Sequence, residues 1–334
     1  MQIRPAPTGH RSPRPGALSD DREGRIACPI TDVGTAQRTP SRRMVRIPYG
    51  HSSSSETTML PFRRLLTGIP FSITAAGMPQ IAPCIESVVR LALEMRRLGR
   101  GEVAFAAVGE CPEAVANDCA TVDRWAVDVE TEVGNWLMSA SPDQKSFEVG
   151  AWCGLPSEEW TLAARTSEMD LLIVPGRVNG GTIPAQAVTW TEQAGCSVWF
   201  VGVEVDSLSS EPPLILMIDD FTDEAEHALK AAIELAQTWS ARLLVGHPTY
   251  EFAPPTAEQN DEFRRIAFAR LSRNDFRCIS QGANFIVHAG DVEQLITEVR
   301  QTQSVNLVVW PVTGGELIDS DVLGTAHLLL WATY

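Results

Sequence analysis

Lysine is nearly missing from this chain. Lys145 and Lys230 are the only two among 334 residues. Neither lies in a Gly-Lys-[Ser/Thr] loop, which excludes the lysine-bearing phosphate cradle of P-loop enzymes. There is no G-x-S-x-G elbow and no H-E-x-x-H helix, so two common hydrolase designs are absent as well. The seven cysteines are scattered, odd in number and never spaced as C-x-x-C, a pattern of reduced, buried thiols in a cytosolic protein. The six histidines do not cluster with them, so no zinc site is expected. No apolar run approaches the ~20 residues that span a bilayer, and the N-terminus has no secretory-leader core. A soluble, cytoplasmic protein is therefore expected. Net positive charge is lacking too: a formal charge of −15 opposes general binding to nucleic acid or anionic membrane.

What is present divides into a tail and two repeats. Residues 1–60, with "RPAPTGHRSPRPG" and "HSSSSETT", show neither helical nor strand periodicity. They carry nine arginines against five acidic residues, so a basic, disordered extension is expected there. A true start at Met44 or Met59 is the other reading. Beyond the tail, "GLPSEEWTLAARTSEMDLLIVP" parallels "GDVEQLITEVRQTQSVNLVVWP". Gly154 stands sixteen residues before Asp170, and Gly290 sixteen before Asn306. Each segment reads as a short amphipathic helix and then an apolar strand ending in proline. "ESVVRLALEMRRLGRGEVAFAAVGE" parallels "EHALKAAIELAQTWSARLLVGHP" in the same way.

Alternating helices and continuous apolar strands imply an α/β fold with parallel sheets covered on both faces. Two tandem doubly wound domains are expected, at 61–205 and 211–334, joined by "DSLSSEPP". The first ends in a fifth strand, "CSVWFVGVEV". The second stops at "HLLLWATY", where a fifth strand would still be due, so its last strand is expected to be missing. That would leave the edge of its fourth strand open to a protein partner or a second copy.

The stretch "PVTGGELIDSDVLGT" follows the apolar run "NLVVW". Gly314 and the pair Gly324-Thr325 bracket nine residues. Glycines after a buried strand let backbone close around phosphate. Yet the run carries Glu316, Asp319 and Asp321 and no basic residue.

The order "LILMIDDFTDEAEHALKAAIELAQTWSARLLVGHP", then "GDVEQLITEVRQTQSVNLVVWPVTGG", then "LGT" resembles the universal stress protein family. The likeness covers nearly all of the second repeat, and the first in architecture. It implies a five-stranded parallel sheet of the adenine-nucleotide hydrolase-like type, often dimeric or in tandem, and a part in stress survival and signalling. Some members bind ATP and others bind none. In the binders, an Asp after the first strand and a loop of form G-x-x-G-nine-G-[S/T] make the site. Carried over, the cofactor-binding residues are Asp219, Gly314, Gly324 and Thr325. Pro311 replaces the first loop glycine and removes one backbone donor. Asp220 stands where the family favours Gly. With so much acid near one rim, ATP with Mg²⁺ is expected to bind weakly.

Asp219 and Asp220 could hold a divalent ion. They also read, with Phe221 and Thr222, as the cap of the next helix. The acidic pair invites comparison with receiver domains too, but neither lysine follows a late strand. In the first repeat, "LLTGIPFSITAAG" has no strand-end Asp, and Gly176, Gly180 and Gly181 lack the Gly-[Ser/Thr] partner, so a structural role is expected there. His227, His247 and His288 lie near strand ends or helix starts, where solvent-facing side chains are expected. Trp160, Trp239 and Trp310 read as core. No residue is assigned a catalytic or metal-ligating role. The expected function is that of a regulatory or interaction protein, its two domains packed as a pseudo-dimer. A slow Mg-ATP hydrolase with Asp219 on the metal, and a scaffold without nucleotide, are the alternatives.

Overall fold

Apolar runs of four to ten residues become strands along this chain, and apolar stripes of helical period become helices, as their geometry requires. The computed structural model describes residues 61–74, 79–81, 85–99, 101–109, 119–141, 146–176, 187–202, 212–251, 253–274, 279, 281–311, 320–323 and 326–332. All of them belong to one compact unit, 44–334. The tail expected to be disordered lies outside the described residues.

The first half runs β1 (Arg64–Ile73), β2 (Pro79–Ile81), α1 (Ile85–Gly99), β3 (Glu102–Gly109), α2 (Cys119–Ala140), β4 (Glu148–Cys153), α3 (Pro156–Thr166), β5 (Leu171–Pro175), α4 (Ala187–Ala194) and β6 (Ser197–Val201). The second runs β7 (Leu214–Ile218), α5 (Asp223–Thr238), β8 (Arg242–Pro248), α6 (Ala257–Arg273), β9 (Ala283–His288), α7 (Val292–Thr302), β10 (Leu307–Pro311), α8 (Ser320–Leu323) and β11 (His327–Trp331).

The strands form a single sheet in the order β4-β3-β1-β5-β6-β11-β10-β7-β8-β9, with the short β2 hydrogen-bonded antiparallel to β1. Within each half the other pairings are parallel. The halves meet where β6 and β11 pair antiparallel, Trp199 opposite Leu329 and Phe200 opposite Leu328. All four side chains are fully buried. Apolar cores on both faces of the sheet continue across this seam. The halves are therefore joined edge to edge, as one sheet, instead of packing face to face.

This corrects two expectations. The second half does not lack its last strand: "HLLLW" is that strand, parallel to β10. A short leucine run is ambiguous between helix and strand by period alone, and here pairing on both sides settles it. The edge of β10 is consequently closed, and the outer strands of the path are β4 and β9.

One close approach holds the first half together. Gly68 on β1 lets the Trp160 ring lie over the strand, where a Cβ would come within 2.7 Å of the ring. Trp160, wholly buried, donates from Nε1 to the Ala106 carbonyl at 2.9 Å. The hydrogen bond satisfies the indole's polar atom and leaves its carbon surface to the core.

Candidate functional site

In an open α/β sheet, ligands collect beyond the strand ends where the strand order reverses. In the second half that point lies between β7 and β10, which are parallel neighbours. Their C-terminal loops leave from the same end of the sheet.

The loop after β7 is built from its own side chains. Ile218 is the last strand residue, and the Asp219 amide still donates to the Gly246 carbonyl at 2.9 Å. Asp219 Oδ1 then accepts from the Phe221 amide at 2.9 Å. Asp220 Oδ1 accepts from the amide and the hydroxyl of Thr222, at 3.1 and 2.7 Å. Thr222 in turn caps α5, accepting from the Ala225 amide at 3.2 Å. Asp223, Glu224 and Glu226 in the first turn complement the positive end of that helix. Of the stretch expected to cap the helix, Thr222 is the cap, while Asp219 and Asp220 brace the turn before it. The turn puts Phe221 at φ +67°, a left-handed conformation that costs a phenylalanine about 1 kcal/mol or more.

Aromatic rings surround the turn. Phe221 stacks on His247, with centroids 4.1 Å apart and planes 16° from parallel. Phe263 of α6 approaches the same imidazole at 4.7 Å. His247 is buried, not solvent-facing as its strand-end position suggested. Its Nδ1 lies 2.7 Å from the Asp219 carbonyl, which can only accept, so Nδ1 carries the hydrogen. Burial pushes its pKa down and keeps the ring neutral. His288 is partly buried, and its Nδ1 contacts Glu298, whereas His227 is exposed.

The Asp219 carboxylate is wholly buried. Arg270 of α6, also buried, brings Nε to 3.4 Å from Asp219 Oδ2, and its Nη2 donates to the Thr222 carbonyl at 2.7 Å. Among the described residues Asp219 Oδ2 and Arg270 Nε make no hydrogen bond, so their contact is an ion pair by charge and distance only. At 3.4 Å such a pair attracts by about 5 kcal/mol at an effective dielectric constant of ~20. Desolvation is nonetheless the larger effect: Asp219 is pushed up to about 6, against the pull of Arg270 and the Phe221 amide.

No protein-family model matches the chain, and no curated protein matches it. Solved structures do. A candidate universal stress protein from Pseudomonas aeruginosa UCBPP-PA14 superposes with a TM-score of 0.52 at 13% identity, over 83% of this chain and 95% of that one. A universal stress protein from Archaeoglobus fulgidus DSM 4304 gives 0.51 at 12% identity, over 80% and 96%. The fold is that of the universal stress proteins.

Within this universal stress protein fold the two halves differ at equivalent positions. Thr67 faces Ile173 on β5 as Met217 faces Val309 on β10. Two residues further along, Asp219 therefore corresponds to Ile69. His247, next to Asp219, corresponds to Ala107, which pairs with Ile69. Moreover, β1 continues to Ile73 and pairs with β2 where β7 has already turned away. The first half thus has no carboxylate at the strand end, as its sequence indicated. Gly176 is described, its amide bonded to the Val201 carbonyl, while Gly180 and Gly181 lie outside the described residues.

Of the residues assigned to a nucleotide, only Asp219 can be placed. Gly314, Gly324 and Thr325 lie outside the described residues, as do Glu316 and Asp319. Their flanks are placed: Pro311 pairs with Trp331 at the end of β10, and Arg300 of α7 donates to the Val322 carbonyl in α8. Asp219 does not fit the role of a Mg²⁺ ligand. One carboxylate oxygen serves a backbone amide and the other faces a guanidinium, so a divalent cation would have to displace a charge already present.

Arg270 and Phe263 were not singled out in the sequence, and Phe221 was read only as part of the helix cap. Arg270 had a signal. It sits beside Ala267 and Leu271 on the one buried stripe of α6, so an arginine occupies a core position. The left-handed conformation of Phe221 had none, because it follows from side-chain bonds that composition does not announce.

Proposed function

We propose that this chain is a cytoplasmic tandem universal stress protein, built of domains 61–205 and 211–334, that acts as a regulatory or interaction module in a stress response. Its second domain takes up an adenine nucleotide weakly, between Asp219 and the loop carrying Gly314, Gly324 and Thr325. The first domain serves as its structural partner. One observation carries this reading: Asp219 stands at the switch point of the second half with its carboxylate already engaged by Arg270. An acceptor is therefore in place, but a ligand must compete for it. The hydrolase alternative is disfavoured by the same contact, since Asp219 is not free to hold a metal. A protein partner or a second copy would meet the sheet at β4 or β9, because β10 is enclosed.

Calorimetric titration of Mg-ATP into the full chain tests the proposal. Binding is expected with a Kd on the order of 0.1–1 mM, and it should be lost in Gly314→Val. No heat up to about 10 mM, or binding indifferent to Gly314→Val, would overturn it.

A further inference from the structure

We propose that Arg270 is a latch on the loop after β7: it holds residues 219–222 shut over the Asp219 carboxylate, and its release controls access to that carboxylate. The consequence for nucleotide affinity rests on the reading above, whereas the latch itself stands on geometry.

Arg270 reaches back to a loop 48 residues earlier in the chain. It grips that loop twice, with unequal quality. The bond from Nη2 to the Thr222 carbonyl is short, at 2.7 Å. The contact with Asp219 is loose, at 3.4 Å, and among the described residues it leaves Nε without an acceptor and Oδ2 without a donor. An unmet donor and an unmet acceptor, both buried, are each costly. Both gain if a ligand donates to Oδ2 while the guanidinium turns to phosphate or water.

The loop beneath the latch stores conformational energy of its own. The guanidinium carbon lies 5.9 Å from the centre of the Phe221 ring, and Phe221 has φ +67°. Stacking on His247 and the bonds from Asp219 and Asp220 hold the turn in that shape. Beside it, Arg273 bonds Glu226 at 3.1 Å and so ties α6 to the first turn of α5, the helix that the loop leads into. The closed loop is therefore held by α6 from outside. A site populated mostly in its closed form binds with an affinity reduced by the open fraction.

The test uses the full chain carrying Arg270→Met and, separately, Arg270→Lys. Lysine keeps the buried cation, but one ammonium cannot serve both Thr222 and Asp219 as the fork does. Amide hydrogen exchange is followed over residues 219–226, and Mg-ATP is titrated into each protein. The latch predicts exchange at least ~10-fold faster in Arg270→Met, an intermediate rate in Arg270→Lys, and Mg-ATP affinity raised ~10-fold in Arg270→Met. Unchanged exchange in either folded variant overturns the latch, as does faster exchange with equal or weaker measurable binding. If both variants exchange faster and no protein binds Mg-ATP at about 10 mM, the latch stands and the nucleotide reading falls.

Discussion

Replacing Arg270 by methionine should destabilise the protein by an amount that depends on pH. Asp219 has a folded pKa of about 6 against an ordinary value of 3.8. The native state therefore holds its proton more tightly than the unfolded chain does. The contribution of Asp219 to stability is greatest below about pH 4, falls as pH rises towards 6, and is flat above. Two pKa units correspond to about 3 kcal/mol lost across that window. Methionine keeps much of the side-chain volume but removes the largest opposing charge. The carboxyl then rises further, and the decline extends to higher pH. The variant should lie within ~1 kcal/mol of wild type near pH 4.5 and about 3–5 kcal/mol below it at pH 8. The double variant Asp219→Asn/Arg270→Met has no buried charge and should lose this pH dependence. Urea unfolding between pH 4.5 and 8, followed by tryptophan fluorescence, measures all three proteins. A deficit that stays constant with pH would refute the reasoning, because the loss would then be one of packing alone.

The seam should make the two halves unfold together. Trp199→Ala is expected to cost about 3–5 kcal/mol and to leave a single transition by calorimetry, whereas two separated transitions would mean that the halves are independent. His327, buried in β11 at the seam, has its pKa pushed down to about 4 by desolvation. Its neutral form supports the fold above pH 6.5, and about 3 kcal/mol is lost as pH falls towards 4. His327→Leu should therefore remove this gain, so that the change in unfolding free energy from pH 4.5 to pH 7 becomes about 2–3 kcal/mol less favourable than in wild type, as read by urea unfolding. Gly68→Ala forces a methyl group against Trp160 and should lower stability by about 1–3 kcal/mol, with a changed near-ultraviolet tryptophan signal.

Much of the fold was legible because parallel strands buried on both faces have a plain sequence form. "LILMI" and "LVVWP" are apolar throughout, and each lies near an amphipathic helix. The repeat offset located the equivalent elements before any pairing was known. The fifth strand of the second half escaped because "HLLLW" has no period of its own. Its identity depends on β10 and β6 lying on either side. At the site, Asp219 was legible as a strand-end carboxylate. Its burial was not, since the group that covers it comes from a helix that begins 38 residues later.

By itself, the sequence determined the alternation of strands and helices, the duplication, and which half keeps a carboxylate at the strand end. These are local properties, set by apolar period, turn chemistry and residue type. The tertiary structure alone decided that the two sheets fuse through β6 and β11, and that Asp219 meets Arg270 instead of solvent. Both outcomes depend on groups far apart in the chain being brought within hydrogen-bonding or Coulombic range. No local pattern encodes that distance, because it is set by how the helices and strands pack.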